Sequence, residues 1–135
     1  MLDYGLIHPP LIEALATAGH GDRILLADGN YPLLGMTHPQ ARLIHLNLAP
    51  GMLTVTDVLP VLLTAIRAES AVMMASPEPA PIQRECLDLL GPQVPVEHVD
   101  RYAFYDLARS QESGVVVATA EQRIYGNLLL TVGVG

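Results

Sequence analysis

Apolar and polar positions along the chain follow two spacings, and these predict helices and strands in turn. Four apolar residues between Leu59 and Ile66 recur at helical spacing, so they form one face of a helix that starts within residues 54–57. The segment RILLAD, residues 23–28, is short, apolar and bounded by turn residues, which is typical of a buried strand. The same patterns predict helices within 9–19, 82–91 and 101–111, and strands within 42–48, 70–75, 94–99, 115–119 and 127–132.

Proline, glycine and aspartate mark the ends of these elements. Two prolines at 9–10 suit the start of a helix, and Gly19 suits the left-handed position just past a helix end. Asp100 can cap the helix that follows it. The segments 29–40 and 76–81 are rich in glycine and proline, so they are expected to be loops.

The alternation of strands with helices predicts an α/β fold of three layers, in which helices cover both faces of a mostly parallel sheet. The last connection is different, because only about seven residues separate the final two strands and a parallel crossover usually needs a dozen or more. The last strand is therefore expected to be antiparallel. The length and the lack of a linker predict one domain, residues 1–135.

Polar residues are expected to gather at one edge of this sheet. In open α/β sheets, ligands bind beyond the carboxyl ends of the strands. Asp28 ends one strand, Arg101 follows another, and Thr119 and Glu121 follow a third. If the last strand is antiparallel, its start at residues 125–127 lies on the same edge. A carboxylate, a guanidinium, a phenol and an amide together suit a polyhydroxylated ligand, with an aromatic ring against a sugar face.

His20 lies between two glycines and does not fit that edge. It precedes the strand that Asp28 ends, and five strand residues span roughly 16 Å, so the two should lie at opposite ends of the sheet. One hypothesis is a shared site, in which His20 of one subunit approaches the strand ends of its neighbour. The simpler interpretation is that His20 and Asp28 are both turn residues. Without further information, these residues predict only an α/β domain with a polar pocket.

Composition excludes several classes of function. The net charge of −7 argues against a nucleic-acid backbone as partner. All seven cationic residues are arginine, which removes Schiff-base chemistry on lysine and the P-loop lysine. Cys86 is the only cysteine, so neither an internal disulfide nor a cysteine-based zinc cluster is expected. No metal site is expected either, because no ligand spacing relates His8, His38, His45 and His98.

Two further features of the sequence bear on location. No apolar stretch reaches 18 residues, so no transmembrane helix is predicted. The first ten residues carry an acid and two prolines and lack the basic start of a signal peptide. We therefore expect a cytoplasmic protein.

Four segments, taken in order along nearly the whole chain, resemble the L-fucose mutarotases: GHGDRILLADGNYP, AVMMA, RYAFYDLA and VVVATAEQRIYGNLLLTVGV. That family is joined with the D-ribose pyranases, small enzymes that interconvert the ring forms of free monosaccharides. The resemblance implies an isomerase of the mutarotase type, with a monosaccharide such as L-fucose as substrate and no cofactor or metal. It also implies a homo-oligomer, often a ring, which agrees with a shared site.

The resemblance assigns roles to single residues. The family's proton donor falls on His20, which would open the sugar ring as acid and base, directly or through water. Its substrate-binding aspartate falls on Asp28. The arginine of the RFxFY motif falls on Arg101, where pyranases carry histidine. The sugar-contacting triplet YGN falls on Tyr125, Gly126 and Asn127, where pyranases tend to have YAN.

Two departures keep the substrate open. Ala120 replaces the glycine of the usual TGE, and residues 43–59 resemble the pyranases more than the mutarotases. A pyranase-like activity, which interconverts pyranose and furanose forms of D-ribose or another sugar, is therefore the nearest alternative. A sugar-binding module that has lost catalysis is another.

Overall fold

The computed structural model describes residues 1–135, and its elements alternate as the sequence predicts. The helices are α1 (Pro9–Thr17), α2 (Val55–Leu62), α3 (Pro81–Leu90) and α4 (Arg101–Ala108). The strands are β1 (Arg23–Ala27), β2 (Arg42–His45), β3 (Ala68–Met74), β4 (Val96–Val99), β5 (Val115–Ala118) and β6 (Leu128–Val132). None of the four helices combines the length and the apolar character needed to cross a membrane.

The six strands form one sheet in the order β2-β5-β1-β6-β3-β4. The pairs β2–β5, β5–β1 and β3–β4 are parallel, whereas β6 is antiparallel to both of its neighbours, β1 and β3. The predicted fold, a mostly parallel sheet with an antiparallel last strand, is confirmed. Because β6 is antiparallel, it begins at the carboxyl end of β1, where Leu128 pairs with Leu26.

Helices cover both faces of the sheet, which gives the three predicted layers. Helices α1, α2 and α3 pack on the face that presents Ile24 and Leu26. The opposite face presents Leu25, and it is covered by Phe104 of α4 and by Tyr31 from the loop after β1. The alternation of side chains along β1 therefore divides the core into two clusters, with the larger one under three helices.

The structure corrects several predicted boundaries. Helix α1 ends at Thr17 rather than at 19, so Gly19 lies two residues beyond it and does not take the left-handed φ expected there. Strand β4 begins at Val96 rather than at 94.

Strand β2 ends at His45 rather than at 48, because residues 46–53 fold back through a hydrogen bond from the Leu53 N–H to the Leu46 carbonyl. Strand β3 begins at Ala68 rather than at 70, because Ala68 pairs with the end of β6.

Helix α2 ends at Leu62, so Ile66 lies beyond it. Residues 63–66 turn instead, with the Ala65 N–H bonded to the Leu62 carbonyl. Helix α4 ends at Ala108 rather than at 111.

Candidate functional site

The antiparallel course of β6 brings Asn127 beside Asp28 at the carboxyl edge of the sheet. The backbone N–H of Asp28 donates to Asn127 Oδ1 over 2.7 Å, and both residues are buried. The hydroxyl of Thr119, just after β5, donates to the Ala27 carbonyl over 2.7 Å and ties that strand end to β1. The structure therefore gathers the ends of β1, β5 and β6 at one place.

The Asp28 carboxyl group is the titratable group at the centre of this edge. Burial raises its pKa above the ordinary value of 3.8, and the negative charge of Glu121 acts in the same direction. The backbone N–H groups of Asn30, Gly126 and Tyr31 lower the pKa without cancelling the effect of burial. One of these bonds, from the Asn30 N–H to Asp28 Oδ1, measures 3.0 Å. The carboxyl group is thus oriented by the backbone and kept from bulk water.

Tyr125 is held in an unusual backbone conformation two residues before Asn127. Tyr125 has a φ of 60°, which is rare for a residue with a side chain. The side-chain amide of Gln83, on α3, donates to the Tyr125 carbonyl over 3.4 Å and to the Met74 carbonyl over 2.7 Å. Gln83 is buried, and its two hydrogen bonds join the triplet to Met74, the last residue of β3.

Arg101 lies at the same edge but on its outer rim. It follows β4, which lies three strands from β1, and three strand spacings are roughly 14 Å. Its exposed guanidinium donates to the Tyr102 hydroxyl over 3.0 Å and lies 5.0 Å from the centre of that ring. The hydrogen bond with Tyr102 raises the pKa of Arg101, and the phenols of Tyr105 and Tyr125 contribute in the same direction. The structure therefore brings Arg101 towards Tyr125 and not into contact with Asp28.

Two clefts open near this edge, one lined by Asp28 and the other by Tyr125, and neither is lined by both residues. The first has a volume of about 470 Å³ and lies between the ends of β1 and β5 and the turn after β2; its lining includes Asp28, Thr119 and Glu121. The second, of about 530 Å³, lies between the proline-rich loop 76–81 and Tyr125. Both are large enough for a monosaccharide, and the first offers carboxylate and backbone groups that can bind hydroxyls. No group of three or more His, Cys, Asp or Glu residues is placed to hold a metal ion.

Sequence reasoning missed Arg123, which neutralises Glu121 behind the triplet. Arg123 Nε donates to Glu121 Oε1 over 2.9 Å, and Arg123 Nη2 lies 3.2 Å from Glu121 Oε2, so the pair is bidentate. Burial raises the pKa of Glu121, but the Arg123 guanidinium and the backbone N–H groups of Arg123 and Val55 outweigh it and lower the pKa below its ordinary 4.5. The only signal in the sequence was an arginine two residues after a glutamate that follows a strand.

His20 lies at the opposite edge of the sheet, as its place before β1 predicts. The N–H of Gly21 bonds to the carbonyl of Val132, the last residue of β6, so His20 sits where β6 ends. Gly21 has a φ of 89°, which explains the need for glycine after His20. The imidazole Nε2 is 3.0 Å from Glu69 Oε1, and both side chains are about half exposed. Five strand residues, roughly 16 Å, separate this edge from Asp28.

A comparison of the whole chain with protein families gives one match. The RbsD / FucU transport protein family matches residues 1–135. The chain belongs to this family. The resemblance that the sequence motifs indicated is thereby confirmed at the level of the family.

Solved structures share the fold of this RbsD / FucU family member over nearly its whole length. RbsD of Bacillus subtilis, complexed with D-ribose, matches with a TM-score of 0.87 and 25% identity over 100% of this chain and 99% of the other. FucU of Bifidobacterium longum matches with a TM-score of 0.82 and 25% identity over 96% of each chain. The fucose mutarotase of Streptococcus pneumoniae, in complex with L-fucose, has a TM-score of 0.83 over 100% and 99% of the chains; at 23% identity this likeness shows the fold.

Proposed function

We propose that this protein accelerates the interconversion of the ring forms of a free monosaccharide. The observation that carries the proposal is the buried Asp28–Asn127 pair beside Tyr125, at the sheet edge where α/β folds bind ligands. Membership of the RbsD / FucU family supports it, since structures similar to this chain are described as complexes with D-ribose and with L-fucose. In this proposal the carboxylate and the amide hold sugar hydroxyls, and the Tyr125 ring packs on the sugar.

The reaction needs only proton transfers. Opening a cyclic hemiacetal requires a proton for the ring oxygen and removal of the proton from the anomeric hydroxyl, after which the aldehyde rotates and recloses on its other face. Histidine is suited to both transfers, since its ordinary pKa of about 6.5 lies near neutrality. General acid–base catalysis of this kind contributes roughly 10²–10⁴-fold. We assign this role to His20.

A site that uses both His20 and Asp28 requires two subunits. Within one chain the imidazole lies at the amino edge of β1 and the carboxyl group at the other edge. The imidazole is about half exposed, so a neighbouring subunit can receive it. We therefore propose a homo-oligomer in which His20 of one subunit approaches Asp28 of the next, with Arg101, at the outer rim of the same sheet edge, orienting a hydroxyl.

Gly126 favours a mutarotase among the family's activities. A Cβ atom at this position would lie 3.1 Å from Glu121 Cγ and 3.1 Å from Ile82 Cδ1, so the alanine that pyranases tend to carry would be crowded here. The opposite preference comes from residues 43–59, which resemble the pyranases, and from the match to RbsD complexed with D-ribose. L-fucose is therefore the first sugar to test, and D-ribose the second.

The test is NMR exchange spectroscopy on L-fucose, D-ribose and related sugars with the wild type and with His20→Ala. Faster exchange between L-fucose anomers, lost in His20→Ala, supports a mutarotase with His20 as catalyst. Faster pyranose–furanose exchange of D-ribose alone favours the pyranase alternative. Sugar binding by calorimetry without faster exchange would contradict the enzymatic proposal and leave a sugar-binding module.

A further inference from the structure

The segment 121–127, which carries the triplet, is held in place by hydrogen bonds around the Glu121–Arg123 ion pair. Glu121 is 2% exposed, and its carboxylate accepts hydrogen bonds from the Val55 N–H over 3.3 Å, from the Arg123 N–H over 3.1 Å, and from the Arg123 guanidinium. A buried carboxylate is stable only when it is paired and its lone pairs are satisfied. Arg123 supplies the one positive charge among these partners, so Glu121 depends on it.

Glu121 touches both walls of the candidate site. Its backbone carbonyl accepts from the Gly29 N–H over 2.8 Å, which fixes the turn directly after Asp28. On the other side, its Cγ lies 3.1 Å from the point where a Cβ of Gly126 would stand, so its side chain packs against the triplet. Any shift of Glu121 therefore moves the Asp28 turn and the triplet together.

The two terminal nitrogens of the Arg123 guanidinium contact residues of two helices. One terminal nitrogen, Nη1, pairs with Glu85 of α3, and Nη2 also lies 3.3 Å from the Thr56 hydroxyl in the first turn of α2. Five donors in a planar fork allow one arginine to make all of these contacts, which a lysine ammonium cannot reproduce. These contacts hold the connection between β5 and β6 against α2 and α3.

We propose that Arg123 is a positioning residue for the sugar site: through Glu121 it fixes Tyr125, Gly126 and Asn127 against Asp28. The inference rests on the proposed function in that it names what holds that same site in place. Arg123 does not contact the sugar in this account. Its effect reaches the sugar through Glu121 and the triplet.

Amide hydrogen exchange tests the proposal without any sugar. In Arg123→Ala, the Asp28 N–H, which donates to Asn127 Oδ1, should exchange at least roughly tenfold faster than in the wild type. The N–H of Leu25, in the middle of β1, should keep its protection, because the core there does not contact Arg123. The matched control is Arg84→Ala, which removes an exposed arginine of α3 that makes no side-chain hydrogen bond, and it should change neither amide.

Kinetics supply the second readout. Arg123→Ala should raise KM for the sugar and lower kcat for ring exchange, and Arg123→Lys should restore only part of either. Unchanged protection of Asp28, or equal loss of protection at Asp28 and Leu25 with KM unchanged, would overturn the proposal in favour of a purely structural ion pair. If the wild type accelerates no ring exchange, the proposed function fails, and the hydrogen-exchange comparison still decides whether Arg123 fixes the triplet.

Discussion

Two buried carboxyl groups lie close together at the carboxyl edge of the sheet, and their surroundings move their pKa values in opposite directions. For Asp28, burial raises the pKa above 3.8. For Glu121, burial also raises the pKa, but the hydrogen bonds and the positive charge of Arg123 outweigh burial, and the pKa lies below 4.5. A carboxyl group without a cationic partner is the one available to a ligand, because sugar hydroxyls can replace the water that it has lost. This contrast separates the binding group from the structural one.

The raised pKa of Asp28 predicts an acid limit to sugar binding. A raised carboxyl pKa contributes stability that is fully present below the unfolded-state value of about 3.8 and is lost as the pH rises through the folded-state value. Burial therefore makes the ionised form, which binds the sugar, more costly in the folded protein than in the unfolded chain. Sugar affinity, measured by calorimetry between pH 3.5 and 7, roughly the range in which carboxyl groups titrate, should fall on acidification with a midpoint above 3.8. A midpoint at or below 3.8 would contradict the role given to Asp28.

Gly126→Ala tests how tightly the triplet is packed. The added methyl group would meet Glu121 Cγ and Ile82 Cδ1 at 3.1 Å, and Glu121 cannot retreat because Arg123 and Val55 hold its carboxylate. We expect a loss of about 1–3 kcal/mol in the free energy of unfolding, by urea titration, because overpacking has that cost. Ring exchange should slow at least roughly tenfold as the triplet shifts.

Gly114→Ala is the matched control for that experiment. A Cβ at Gly114 would meet nothing within 4 Å, so this variant should be as stable as the wild type or slightly more stable. If Gly126→Ala and Gly114→Ala have the same free energy of unfolding and the same rate of ring exchange, the packing around Gly126 can relax to accept a methyl group.

Single residues of the candidate site could be predicted only in part. Asp28 and the triplet were placed correctly at one edge because strand direction alone decides which edge a residue occupies. Arg101 was placed at that edge too, but its distance from Asp28 depends on the strand order, which the sequence does not contain. The partners Glu69 and Glu85 were missed, because they lie 49 and 38 residues from His20 and Arg123 along the chain.

Among the elements, α2 begins at a capping box that also serves the site. The Asp57 N–H donates to the Thr54 hydroxyl over 3.1 Å, and the Thr54 N–H donates to Asp57 Oδ2 over 2.9 Å. This box sets the first turn of the helix, where the Val55 N–H reaches Glu121 and the Thr56 hydroxyl reaches Arg123. The start of α2 therefore helps to fix the connection between β5 and β6.

Thr54→Ala should reveal this link between the helix start and the site. Loss of the cap should lower the free energy of unfolding by about 0.5–2 kcal/mol, measured by urea titration. The backbone and side-chain hydrogen bonds with Thr54 hold the pKa of Asp57 below 3.8, so that pKa should rise towards 3.8 when the hydroxyl is removed. A stability equal to that of the wild type would mean that the capping box does not hold the helix start.

The elements were easier to predict than their ends. Apolar spacing and turn residues located all four helices and six strands, because these signals are local. The end of α2 was misplaced, because Leu63 and Ile66 continue the helical spacing of apolar residues while the backbone already turns. The antiparallel β6 was predicted from the length of its connection, which is too short for a crossover.

For the whole molecule, His20 and Asp28 of one chain lie at opposite ends of β1, so they can act on one sugar only across a subunit interface. The sequence could predict their separation, because strand rise is a constant of the backbone. It could not show the surface on which a second copy docks, because that depends on side chains from distant segments. The shared site is thus the claim on which the proposed mechanism stands.

Mixing two inactive variants tests this claim most directly. Chains with His20→Ala retain Asp28, and chains with Asp28→Asn retain His20, so each variant alone should show no accelerated ring exchange by NMR. After unfolding and joint refolding of equal amounts, about a quarter of the intersubunit sites in a symmetric oligomer should combine both native residues, and the activity should return to about that fraction of the wild type. The contradicting result is an inactive mixture, given that the wild type is active and that the two chains co-purify by separate affinity tags. In that case His20 and Asp28 do not meet across subunits, and the proposed mechanism is wrong.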